Sequence, residues 1–160
     1  MLNIVTHIDE GVITQLQAVY SESMNDLKVN FSNDLEMHTA YATFLKDFIK
    51  NPKQIILVEE VNGVWVSALR AIETIETHWF LEAVETKPEE RRKGYGKELL
   101  QHAIDYLKRN GMKELSCTIS KNNFKSQALH RKCGFLPTNE PPVNCWGELE
   151  EGAVLFRLEG

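Results

Sequence analysis

Residues 88–100 read Pro88-Glu-Glu-Arg-Arg-Lys-Gly-Tyr-Gly-Lys-Glu-Leu-Leu100. Two glycines one residue apart sit among the cations Arg91, Arg92, Lys93 and Lys97, at the point where a helical pattern begins. The first four N–H groups of a helix have no intrahelical partner and carry a partial positive charge, so an anion satisfies them. Gly94 and Gly96 remove Cβ atoms from the approach and permit unusual dihedrals. The stretch therefore predicts a main-chain anion site at a helix N-terminus. Two phosphate loops are excluded by inspection. A Walker A loop needs glycine where Arg91 stands and Ser or Thr where Glu98 stands. A dinucleotide fingerprint needs a third glycine where Leu99 stands.

Outward from this loop the pattern fixes the fold class. Tyr95, Leu99, Leu100, Ala103, Ile104 and Leu107 form one helical stripe over 95–110, with Gly111 as a C-terminal stop. Before the loop, 54–60 and 64–72 flank Asn62-Gly63, the strongest short-range hairpin signal. A third strand, 78–86, ends before Pro88. After the helix, 114–120 is a strand. A short helix follows over 124–133, capped by Asn123 and stopped by Gly134, then strands at 135–138 and 153–159. Upstream lie a strand at 3–8, a helix over 11–27, and a helix over 34–50 with Asn33 as its N-cap. The stripe expected on that last helix is Leu35, Ala42, Leu45, Phe48 and Ile49. The crossover from 78 to 120 makes two strands parallel neighbours. The expectation is an α+β domain with a mixed, mostly antiparallel central sheet of about six or seven strands flanked by about four helices.

A chain of 160 residues, 42% hydrophobic and 26% charged, reads as one soluble globular domain over 1–160. No apolar run approaches the roughly 20 residues of a membrane span, and the N-terminal segment lacks the pattern of a signal peptide, so no membrane association and a cytoplasmic location are expected. A pI near 5.6 argues against nucleic acid as a partner. The first 86 residues carry 13 acidic and 5 basic side chains, and the remainder carries 10 and 13. The second half suits an anionic ligand and the first attracts a cationic one. Cys117, Cys133 and Cys145 have no metal-ligand spacing and read as buried reduced thiols; His7, His38, His78 and His102 likewise show none, so no metal is expected.

These residues also resemble a known family. Arg91-Arg92-Lys93-Gly94-Tyr95-Gly96 is similar to the Gln/Arg-x-x-Gly-x-Gly/Ala motif of the GNAT superfamily of N-acetyltransferases. Asn123-Phe-Lys-Ser126-Gln-Ala-Leu-His130-Arg-Lys-Cys-Gly134-Phe135 resembles that family's Asn-x-x-(Ala/Ser)-x-x-Leu-Tyr-x-x-x-Gly-Phe pattern. The likeness covers most of 53–136. It implies the family's acyl-CoA N-acyltransferase fold and an acetyl-CoA site. The amides from Arg92 to Lys97 would hold the pyrophosphate, with Arg91 beside them. Val84 to Thr86 would pair with the pantetheine arm at a strand bulge, and Asn123 and Ser126 would contact the cofactor from the neighbouring strand.

Acetyl transfer to an amine needs a base, because an alkylamine is mostly protonated at neutral pH. Glu82 is the first choice and Glu85 the second. They lie three residues apart on one strand, so regular alternation puts them on opposite faces of the sheet. His130 stands where the family often has a tyrosine acid, and nearby phosphates would favour its charged form. Tyr20, Phe31, Tyr41, Trp65, Trp79 and Trp146 are candidates for an acceptor pocket, and the acidic loop 139–152 is expected on the acceptor side. The expected activity is transfer to a primary amine of a small molecule, such as an amino-acid derivative, polyamine or aminoglycoside-like compound, and it should be direct, through a ternary complex, because no residue reads as an activated nucleophile. A protein N-terminus or lysine is the alternative acceptor, and a CoA-binding module without turnover is the alternative class. The oligomeric state stays open between monomer and homodimer.

Overall fold

The computed structural model describes residues 1–160. Seven strands form one sheet: β1 (Leu2–Ile4), β2 (Gln54–Val61), β3 (Val64–Ile75), β4 (His78–Thr86), β5 (Glu114–Ser120), β6 (Leu136–Pro137) and β7 (Ala153–Glu159). Their spatial order is β1-β2-β3-β4-β5-β7-β6. All neighbours are antiparallel except β4 and β5, which run parallel. Five helices cover the faces: α1 (Glu10–Val19), α2 (Ser21–Leu27), α3 (Asp34–Lys50), α4 (Tyr95–Arg109) and α5 (Phe124–Lys132). No helix is long and apolar enough to cross a membrane.

The β2–β3 turn is the Asn-Gly hairpin, with φ of 52° at Asn62 and 78° at Gly63. The central strands are buried on both faces, which is why they read as continuous apolar runs. On one face the α4 stripe Leu99, Leu100, Ala103, Ile104 and Leu107 packs with Leu57, Leu69, Ala71, Leu81 and Leu115. On the other, Ile13, Leu16 and Val19 of α1 and Leu45 and Phe48 of α3 pack on Ile56, Val58, Ala68 and Ile72. Each of these buried Leu, Ile, Val and Phe side chains contributes about 1.5–3 kcal/mol of transfer free energy, and each alanine less.

Four sequence expectations shift. The first strand pairs over three residues only, because the chain turns at once toward Asp9, whose side chain accepts the Val12 N–H at 2.8 Å as the α1 cap. The single helix over 11–27 is two helices. Tyr20 leaves helical geometry at ψ 20° while the hydrogen bonds Tyr20 N–H to Leu16 and Met24 N–H to Tyr20 persist, so the 3.6-residue periodicity runs through the bend. On α3, Leu35 is 74% exposed and Met37 is buried instead, turned into the wall of the cavity that α2 and α3 enclose. Of the cysteines only Cys117 is buried; Cys133 and Cys145 are half-buried, and all three are free.

Candidate active site

The site grows from an irregularity in β4. Opposite β3, Ala68 pairs with Glu85 and Arg70 with Glu82, so two steps on β3 match three on β4. The extra residue is a bulge, and Ala83 takes φ of 52°, a left-handed conformation that costs a non-glycine residue about 1–3 kcal/mol. The bulge overturns the expectation that Glu82 and Glu85 face opposite ways. Counting Ala83 and Val84 as one position puts both carboxylates on the α1–α3 face, with Ala68 and Arg70 as their cross-strand partners, while Val84 packs toward α4.

The same irregularity ends the parallel ladder. Pairing of β4 with β5 stops at Phe80 and Ser116, and the strands diverge beyond. A wedge of about 210 Å³ opens there, lined by Leu81 to Val84, by Cys117 to Ser120, and by Asn123, Ser126 and His130. A second cavity of about 310 Å³ lies beside it toward Asn144, Trp146 and Glu150 of the acidic loop. The third and largest, about 470 Å³, lies under α1–α3 and reaches Ala83, Val84 and Glu85. Ala83 borders all three. Of the aromatic candidates, Tyr20, Phe31 and Tyr41 line the largest cavity and Trp146 the second; Trp65 and Trp79 pack against the cores instead. Phe44, absent from the sequence candidates, is also in the wall.

At the start of α4 the N–H groups from Arg92 to Lys97 have no acceptor in the protein; the first turn's hydrogen bonding begins with Glu98 N–H to Gly94 O at 3.0 Å. The two glycines do different work. Gly94 has φ of 84° and open space where a Cβ would lie; a Cβ at Gly96 would stand 3.2 Å from Thr86 Oγ1 and 3.6 Å from Leu129. Gly94 lets the loop turn, and Gly96 lets α4 approach the end of β4. Arg92 also has positive φ, 66°. Not all four cations are free. Arg91 donates to Glu22 at 2.6 Å and to the Thr86 carbonyl at 3.2 Å, and Lys93 donates to Glu90 at 2.9 Å.

The carboxylates differ in surroundings. Glu82 accepts from Arg70 Nε at 2.7 Å and from the Cys145 thiol at 3.7 Å. The Ser23 hydroxyl lies 2.9 and 3.0 Å from the two Glu85 oxygens. Burial raises the Glu85 pKa above the ordinary carboxylate value, against the Ser23 hydrogen bond. Tyr20 donates to the Ala83 carbonyl at 2.7 Å and so ties α1 to the bulge.

His130 is 3% exposed. Its Nδ1 donates to the Ser126 carbonyl at 2.7 Å, and its ring meets Phe135 edge-on at 5.2 Å between centroids. Burial lowers its pKa, so the neutral ring is favoured, contrary to the charged form expected from the sequence. Asn123 is committed as a cap, accepting from Ser126 N–H at 3.1 Å.

Sequence spacing also missed a second cluster. Glu98 and His102 lie one turn apart on α4, and with buried Glu59 their ligand atoms fall within 4.8 Å of one another. His102 Nδ1 is 3.0 Å from Glu59 Oε2, and the Met1 amine donates to Glu59 Oε1 at 2.9 Å, so both oxygens of that carboxylate are already engaged.

Comparison with known proteins agrees with this architecture. "Uncharacterized N-acetyltransferase YhfO" of Bacillus subtilis (strain 168) is 30% identical over 97 residues, which is 58% of this chain and 65% of that protein's length. The PaiA N-acetyltransferase of Thermoplasma acidophilum, solved in complex with coenzyme A, superimposes with a TM-score of 0.73 at 15% identity, covering 100% of this chain and 99% of that one. The ribosomal-protein-alanine N-acetyltransferase of Brucella melitensis gives 0.72 at 20% identity, with coverage of 100% and 99%. At such identities the likeness shows the shared α+β fold. The model of the acetyltransferase (GNAT) family matches residues 16–135, well over half of the sequence, and the chain belongs to that family.

Proposed function

We propose that this chain transfers an acetyl group from acetyl-CoA directly to a primary amine of a small molecule, in a ternary complex. Family membership supports acetyl transfer, and one observation carries the cosubstrate site: six successive main-chain N–H groups, Arg92 to Lys97, without a protein acceptor at a helix N-terminus. Hydrogen bonds to a charged group contribute about 1.5–3 kcal/mol each. The residues fit a diphosphate-bearing ligand. Gly94, Tyr95 and Gly96 present the amides, and Arg92 and Lys97 add charge. Arg91 and Lys93 take part by exchanging their present carboxylate partners. Val84 and Thr86, at the end of the unpaired β4 edge, offer backbone groups to an extended arm, and Asn123 and Ser126 border the same wedge.

Acetyl-CoA supplies the thioester, whose C–S bond breaks as the amide C–N bond forms. Glu85 takes a proton from the substrate ammonium, releasing the neutral amine for attack. Its raised pKa moves it toward the range where a base works best at neutral pH, and it borders the largest cavity next to Val84. Glu82, held by Arg70, supports that cation. Backbone N–H groups of the bulge polarise the carbonyl under attack. His130 keeps Nδ1–H on the Ser126 carbonyl and holds no second proton while neutral. The thiolate, with a pKa of about 8.5, therefore leaves without a protein acid and takes its proton from water. No activated nucleophile is needed.

The whole of 1–160 acts as one domain, since both cores share one sheet. Three free thiols fit a reducing compartment such as the cytoplasm. Acetyl-CoA at about 100 times its dissociation constant should stabilise the fold by about 2.7 kcal/mol, and a panel of small amines should release free thiol. A melting shift with ATP or NAD but none with acetyl-CoA would refute the proposal.

A further inference from the structure

The largest cavity has the size of a small-ligand site, about 470 Å³, and its walls are mainly apolar: Met24, Leu27, Phe31, Met37 and Phe44. A polyamine or an aminoglycoside needs several carboxylates along its path, and this cavity presents one, Glu85. One donor edge borders the same space without an acceptor in the protein. The Arg70 side chain is 18% exposed. Its guanidinium lies over the rings of Tyr20, Phe44 and Phe48 at 5.8, 5.0 and 6.0 Å, and donates to the protein through Nε alone. The rings hold its flat faces and Glu82 takes one edge. The Nη edge, a fork shaped for bidentate carboxylate, is left open. Tyr41 lines the same wall, with its hydroxyl sealed beneath the surface and without a hydrogen-bond partner.

We propose that the acceptor is an apolar amino acid, bound with its ammonium group toward Glu85, its carboxylate on the Arg70 Nη fork, and its apolar side chain among Met24, Leu27, Phe31 and Met37. The inference rests on the acetyl-transfer reading above and narrows its substrate. Transfer is balanced as before: one ammonium proton passes to Glu85, the C–N bond forms as the C–S bond breaks, and the second proton leaves to solvent.

The test measures kcat/KM by thiol release for matched pairs, phenylalanine with phenethylamine and leucine with isoamylamine, beside spermidine and a peptide with an N-terminal alanine. Each amino acid should exceed its decarboxylated partner, and spermidine, by about tenfold or more, a loss of one good hydrogen-bonded contact. Arg70→Gln should bring the ratio within each pair close to one, chiefly through KM for the amino acid. Arg70→Lys keeps the positive charge but not the fork, guards against misfolding of the first variant, and should lower the ratio in the same direction. Equal rates within the pairs, or preference for spermidine or the peptide, would overturn this inference while leaving acetyl transfer in place. Release of no thiol with any acceptor, despite a melting shift with acetyl-CoA, would overturn the transfer reading itself.

Discussion

In the proposed function the loop at the head of α4 and the cavity under α1–α3 are two ends of one site, built from different material. The loop is made of main chain. Its donors are six consecutive amides, its shape comes from Gly94 and Gly96, and it spans only Arg91 to Lys97. The cavity is made of side chains drawn from α1, α2, α3, β3 and β4, with Arg70 and Glu85 facing it from neighbouring strands. A main-chain site can recognise a group common to many molecules, such as a diphosphate. A side-chain cavity can change its occupant by single substitutions. Under the proposed function, the contrast teaches that the shared cosubstrate and the particular acceptor are encoded in separate parts of the chain, meeting at the bulge of Ala83.

The largest effect that could break this contrast is at Gly96. Gly96→Glu places a carboxylate among the free amides, and should abolish the acetyl-CoA melting shift with activity down by about 100-fold or more, as expected when reacting groups lose their positioning. The apo protein's melting curve reports whether the crowding near Thr86 is tolerated. A full acetyl-CoA shift in a folded variant would contradict the loop assignment.

Next come the two carboxylates. Glu85→Gln should lower kcat by about 10²–10⁴-fold and remove the acid limb of the pH–kcat/KM profile. The proposed base acts deprotonated and burial raises the Glu85 pKa, so in the wild type that limb should be shifted upward from the ordinary carboxylate value, with activity falling as pH drops through it. Glu82→Gln should cost about tenfold or less and act mainly on KM, because Glu82 is engaged by Arg70. The reverse ranking would restore Glu82 as the base.

Stability gives a third comparison. Leu100→Ala, in the core under α4, should cost about 2–5 kcal/mol in urea unfolding. Leu27→Ala, on the half-exposed rim of the cavity, should cost less than about 1 kcal/mol while changing acceptor KM. Equal losses would mean that the cavity wall is part of the folding core.

The smallest effect is at His130. Its folded pKa is depressed by burial, so the stability it supports is complete above the unfolded value of about 6.5 and is lost as pH falls through the lower folded value. Urea midpoints at pH 7.5 and 5.5 should show this acid weakening in the wild type and less of it in His130→Leu. A steeper loss in the variant would contradict the neutral buried ring.

What the sequence alone determined is local and periodic. The strand Glu114–Ser120 and the helix Asp34–Lys50 fall where their patterns put them, and the Asn62-Gly63 hairpin, the Asn33 and Asn123 caps and the α4 stripe are all read correctly. Each is fixed by neighbours within a few residues, so propensity and spacing suffice. Tertiary structure alone decided the break at Tyr20, the burial of Met37 instead of Leu35, and the shared face of Glu82 and Glu85. It also decided the pairing of Arg91 with Glu22 and the burial of His130. These depend on what lies across the sheet. A bulge adds one residue and reverses the parity on which strand alternation rests; the family resemblance implied a bulge near Val84, but the run Leu81-Glu-Ala-Val-Glu85 does not by its own pattern fix which residue is the extra one. The loop of free amides was legible because the backbone of one short segment builds it; the cavity under α2 and α3 was not, because several elements must fold before its walls exist.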